Sequence, residues 1–174
     1  MSFQLLREIR TFLQELFADS AFRNPAVEDE TEEGAFISPR LFIGALPPKR
    51  KQGQTNEDFP FIVVRAPSGE DGEENSDIQT QIICGIYTAE DEEGGTNDIH
   101  NALDKIRSNL LQQRILGGTF ELQLPLSWTT GQDEERNQPH PYYLGEITAN
   151  WRTLRRTVLQ SVETEIDVYG TGYR

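Results

Sequence analysis

The sequence predicts an α+β fold. One domain carries a mainly antiparallel or mixed sheet, with an N-terminal helix and one central helix packed on one of its faces. Three observations predict this. Apolar residues recur at helical spacing near the N-terminus and again in the middle of the chain. Period-two and β-branched runs lie between and after those two segments. Polar stretches with glycine and proline separate the runs, and no internal repeat is visible.

The first helix is read from Phe3, Leu6, Ile9, Leu13, Leu16 and Phe17, spaced by three and four, with Arg7, Glu8, Arg10 and Glu15 between them. Asp19, Ser20, Asn24 and Pro25 end it. Residues 25–58 read as a long loop or hairpin insertion. It holds an acidic stretch (EDETEE, 28–33), a strand or hairpin broken by Pro39 (AFISPRLFIGAL, 35–46) and a polar loop with a basic cluster (PPKRKQGQTNED, 47–58). FPFIVVRA, 59–66, is a near-continuous β-branched and aromatic run, which predicts a strand buried on both faces.

GEDGEENSD, 69–77, packs five acids into nine positions with no apolar residue. After it, Ile78, Thr80, Ile82, Cys84 and Ile86 alternate along DIQTQIICGIY, 77–87. The two runs predict a long antiparallel hairpin with a solvated acidic loop at its tip. TAEDEEGGTND, 88–98, reads as a second acidic loop, with Gly94-Gly95 as a turn and Thr96 or Asn97 as N-cap. The helix then runs to about Arg114 on Ile99, Leu103, Ile106, Leu110 and Leu111, and Gly117-Gly118 stop it.

TFELQLPLSW, 119–128, alternates Phe120, Leu122, Leu124, Leu126 and Trp128 with smaller or polar residues. Pro125 lacks an N–H, so this strand belongs at a sheet edge or carries a bulge. A polar loop, 129–141, leads to YYLGEITANW, 142–151, whose core face is Tyr143, Gly145, Ile147, Ala149 and Trp151. The domain is expected to span 1–155. Residues 156–174 read as a C-terminal extension that orders against a neighbouring subunit, with a weak alternation at Val162, Thr164, Ile166 and Val168.

The charge balance narrows function. A net charge of −13 argues against a nucleic-acid-binding surface, which needs clustered Lys and Arg. It is compatible with DNA passing by, because an acidic wall repels phosphates. The single cysteine, Cys84, lies inside an apolar run and reads as a small buried hydrophobe. The N-terminus has charges throughout and does not read as a signal peptide, and no run is long and apolar enough to predict a membrane span.

The chemical motifs fail one by one. An EF-hand loop started at Asp71 needs glycine sixth and glutamate twelfth, and finds Ser76 and Ile82. Divalent binding in another geometry stays open. His100, His140 and Cys84 are too far apart in the chain for a zinc pattern. There is no G-x-S-x-G elbow for a nucleophile, and EEGGTND lacks the lysine of a phosphate loop. A metal-dependent nuclease would place Glu121 and Glu146 on neighbouring strands with a lysine nearby, yet the lysines are Lys49, Lys51 and Lys105. The residues therefore predict no catalytic site and no cofactor.

Four stretches carry a resemblance: FPFIVVRAPSGEDGEE, IICGIYTAEDEEGGTNDIHNALDKIRSNLL, RILGGTFELQLPLSW and PYYLGEITANW. They resemble the tail terminator proteins of tailed bacteriophages and prophages, over about half of the chain. Residues 25–58 and those after 155 carry no such likeness. The resemblance implies a structural virion protein: a ring, commonly hexameric, on the last tube ring of the tail. Such a ring stops tube polymerisation and presents a surface to the head or neck. The implied partners are further copies of the chain, the tail tube protein, a head-completion or neck protein and, in a contractile tail, the sheath protein. DNA passes through without specific binding, assembly occurs in the host cytoplasm, and no catalysis, cofactor or membrane is implied. On this reading the acids Glu70, Asp71, Glu73, Glu74 and Asp77 face the channel or a neighbouring subunit. Arg152, Arg155 and Arg156 are candidate interface residues.

Overall fold

A computed structural model describes residues 1–47, 58–89, 92–131 and 140–154. Arg155, Arg156 and the expected extension 156–174 lie outside the described residues, as does most of the polar loop 47–58.

The chain forms a single α+β domain of two helices, a mixed six-stranded sheet and a small two-stranded sheet. Helix α1 is Ser2–Leu16 and buries Leu5, Leu6, Ile9 and Leu13, with Phe17 just beyond it. Phe3 was expected in this stripe, but it is exposed and stacks under the Arg7 guanidinium. Pro39 does break the run 35–46, though into neither one strand nor a hairpin. The piece before it, β2 (Phe36–Ile37), pairs with β1 (Phe22–Arg23), and the piece after it, β3 (Arg40–Ile43), joins the main sheet.

The main sheet continues with β4 (Phe61–Asp71), β5 (Asn75–Tyr87), β6 (Ile115–Leu116), β7 (Phe120–Thr130) and β8 (Tyr142–Leu154). Its order is β3-β4-β5-β8-β7-β6. Only β3 and β4 are parallel; every other pair is antiparallel. The last strand thus enters the centre, between β5 and β7, and residues 61–64 are buried on both faces as their composition predicts.

Both helices cover one face. Ile62 and Val64 of β4, Ile78, Ile82, Cys84 and Ile86 of β5, Phe120 and Leu122 of β7, and Tyr143, Ile147, Ala149 and Trp151 of β8 all point to it. Against them pack α1 and the helix α2 (Glu92–Gln113), through Ile99, Leu103, Ile106 and Leu110. Each large side chain fully removed from water there stabilises by about 1.5–3 kcal/mol. One buried polar pair interrupts the hydrocarbon: the Trp151 Nε1–H donates to Thr80 Oγ1 at 2.9 Å, and that hydroxyl donates to Ala149 O.

The start of α2 differs from expectation, while its end near Arg114 and the bulge at Pro125 agree with it. Helix α2 begins at Glu92, so Gly94 and Gly95 are helical and do not form a turn. Packing explains Gly95, because a Cβ there would lie 2.1 Å from the Tyr143 ring. Tertiary contact has overridden a propensity cost of about 1 kcal/mol per glycine. The helix stops at Arg114, which takes a positive φ of 47°, while Gly117 and Gly118 make the turn between β6 and β7. Leu111, placed in the stripe, is exposed. In β7 the register shifts between Gln123 and Ser127, with Pro125 in the bulge. Leu124 is consequently 53% exposed and leaves the core.

Candidate functional site

The acidic stretch 69–77 is mostly strand. β4 runs through Asp71 and β5 starts at Asn75, so only Gly72, Glu73 and Glu74 turn. The Gly72 N–H donates to Asn75 O at 2.8 Å and closes that turn. Asp71 points to the helix-bearing side and accepts a 2.6 Å bond from the Ser76 hydroxyl. Glu70, Glu73 and Glu74 are exposed. Local polarity predicts a loop here because it cannot register the ladder that β8 supplies to β5 up to Asn75↔Leu154.

Two candidate groups that lie far apart in the chain meet at this tip. Asp77 and Arg152 are register partners on β5 and β8. Arg152 Nε donates to Asp77 Oδ1 at 2.8 Å and its Nη2 to Oδ2 at 3.1 Å. The bond from Arg152 holds the Asp77 carboxyl below its ordinary value, and the bond to Asp77 raises the Arg152 guanidinium. The flanking partners are acids on both sides: Glu70 opposes Asp77, and Glu121 opposes Arg152. A cross-strand row Glu70–Asp77–Arg152–Glu121 therefore crosses four strands on the helix-free face, with one cation among three acids. Like charges directly opposite each other are unfavourable, so Arg152 offsets the repulsion between Glu70 and Asp77.

The rest of the helix-free face changes character strand position by strand position. The next row is Ser68–Gln79–Asn150–Gln123, neutral and linked by side-chain amides, with Gln79 Nε2 donating to Asn150 Oδ1 at 3.4 Å. Arg65 then donates to the Gln81 side chain at 2.7 Å. At the far end the face is apolar: Phe61 packs on Phe59, which also meets Tyr142, and Leu144 is exposed beside them. Gly85 lacks a side chain there because a Cβ would sit 2.4 Å from the Phe61 ring.

The side edge of β7 is the other exposed feature. β6 pairs only with Phe120 and Glu121. From Leu124 to Thr130 no strand among the described residues pairs with the outer side of β7. Trp128 on that edge is 42% exposed, with the Arg107 guanidinium 4.7 Å above its ring centroid and His100 at its edge.

The catalytic alternatives map as follows. Glu121 lies opposite Arg152, and Glu146 is six positions away along β8, roughly 20 Å at strand rise, so the two carboxylates do not share a site. Cys84 is buried, and burial pushes its thiol up to about 12. His140 Nδ1 lies 3.2 Å from the Tyr143 hydroxyl. Among the described residues no group of three or more His, Cys, Asp or Glu is placed to hold a metal, and no helix is long and apolar enough to cross a membrane. Sequence reasoning placed this strand at an edge or a bulge from Pro125, and the structure shows both; what it missed is that Leu124 and Trp128 leave the core.

No protein-family model matches the chain, and no curated protein matches it either.

Proposed function

We propose that the protein is a tail terminator: a closed ring, six copies in the family it resembles, that caps a phage tail tube and stops its polymerisation. The ring offers the attachment surface for the head or neck and lets DNA pass. Its place is the head-proximal end of the tail in the virion.

One observation carries the reading. Two of the four stretches that carry the resemblance occupy adjoining pieces of one structural unit. RILGGTFELQLPL runs from the end of α2 through β6 and its glycine turn into β7, and PYYLGEIT is the first part of β8, the strand paired with β7. The unit combines an open strand edge with a helix-free sheet face that is apolar at one end and acidic at the other. Such a surface supports self-assembly in which one subunit's edge meets a different surface of the next. The acidic tip, repeated around a ring, would repel DNA if it lined the channel.

Another head–tail connector, a neck protein or a tube subunit would use the same features. A phage lacking the protein separates these: tails of uncontrolled length support the terminator, and tails of normal length favour the neck. A ring of about six copies in negative-stain images or light scattering is expected for the purified chain. The rival class is a metal-dependent nuclease. Calorimetry with Mg²⁺, Mn²⁺ and Ca²⁺ tests it; binding that vanishes in D71A/E73A, together with nuclease activity, would overturn the structural reading.

A further inference from the structure

We infer that the open edge of β7 receives a strand from a second copy of this chain, and that the strand is the C-terminal segment 162–168. The inference rests on the self-assembly in the proposed function, not on the identity of the tail.

Backbone geometry identifies the acceptor. The Gly131 N–H donates to Leu144 O, while Thr130 and Gly145 are register partners. In an antiparallel ladder that pattern turns the amides of Thr129 and Gly131 toward β8 and those of Trp128 and Thr130 outward. The outward amides meet no partner among the described residues. An unpaired edge of this kind is a template for another strand.

Among the described residues, the uncovered outer sides of β4 and β7 are unlike. Beyond β3, the outer side of β4 presents Pro67, Glu70 and Asp71, a proline and charges that deter pairing. The β7 edge presents LPLSWTT, 124–130, with no charge. Its proline lies in the bulge, before the outward amides, and its half-exposed Trp128 awaits cover.

The donor is argued from the chain that follows β8. Val162, Thr164, Ile166 and Val168 alternate with Glu163, Glu165 and Asp167, a one-sided apolar strand pattern. That apolar side suits Trp128, leaving the acids on the solvent side. Donation to another copy is favoured by β6. It occupies the edge at Phe120 and Glu121, beside the end of β8, and a segment returning on its own molecule would have to pass over it. Each copy then gives one strand and accepts one, a head-to-tail contact that closes into a ring when the rotation allows.

The test uses the full chain with two variants. Thr130→Pro removes an outward amide without touching the ladder to β8. V162D/I166D breaks the apolar side of the donor. Light scattering and hydrogen exchange of the Trp128 and Thr130 amides are the readouts. The expected result is that the unmodified chain assembles with both amides protected, and that each variant alone stays monomeric; V162D/I166D then loses protection at Trp128 and Thr130. Mixing the two variants should give dimers and no larger species, because only one intact edge and one intact donor remain. Assembly of V162D/I166D equal to the unmodified chain overturns the inference and leaves the ring standing. Protected amides in a monomer overturn it too, because the segment then docks on its own molecule. Tail-dependent protection in an assembly that is not a ring supports the inference and removes the ring. A monomer with unprotected amides removes both.

Discussion

Asp77 and Arg152, separated by 75 positions in the chain, face each other across β5 and β8 and form a two-bond ion pair beside the tip of the β4–β5 hairpin. The contact joins the acidic stretch to the last strand and places the one cation of its row between acids.

The pair makes a pH prediction. Its hydrogen bond lowers the folded Asp77 pKa below the ordinary 3.8. The associated stabilisation is present above that value and is lost as pH falls through the folded pKa. The side chains are more than a third exposed, so the effect is small and salt-sensitive. Carboxyl NMR titration should show Asp77 moving up toward 3.8 in Arg152→Gln. An unchanged midpoint would remove the pair from solution.

The Trp151–Thr80 bond is buried, so breaking it leaves an indole N–H without a partner. Thr80→Val should cost about 1–3 kcal/mol in urea denaturation, and Thr80→Ser, which keeps the acceptor, should cost less.

Gly95→Ala would ordinarily stabilise a helix by about 1 kcal/mol. Here the added Cβ meets the Tyr143 ring, and overpacking of that kind costs about 1–3 kcal/mol. A net loss is expected. Combining the change with Tyr143→Leu should recover part of it, a coupling that a double-mutant cycle measures.

Cys84 should resist thiol reagents at pH 8 in the native protein and react fully in denaturant. Burial raises the thiol from 9.0 to about 12, so the folded state holds a proton that the unfolded state releases. Stability should therefore decline as pH rises across that interval, and more gently in Cys84→Ala.

Much of the sheet was legible. β5 and β8 each bury one face, and period-two alternation reports one-sided burial directly, down to Trp151 and Thr80. The doubly buried start of β4 was legible from its unbroken apolar run. Errors fell where local chemistry and tertiary contact disagree. Gly94-Gly95 read as a turn, yet the Tyr143 ring demands a residue without a Cβ at 95. Glu70, Asp71 and Asp77 read as loop with Glu73 and Glu74, yet the β4–β5–β8 ladder holds those three as strand and leaves only 72–74 to turn.

By itself the sequence determined the class of fold, the two helices, the core faces of β5 and β8 and the break at Pro125. Those follow from short-range periodicity and from what proline cannot donate. Only the tertiary structure decided that β8 enters between β5 and β7, that Arg152 finds Asp77, and that β6 covers β7 only at Phe120 and Glu121. Strand order is set by contacts between residues far apart in the chain, and no local pattern records which neighbour a strand will meet.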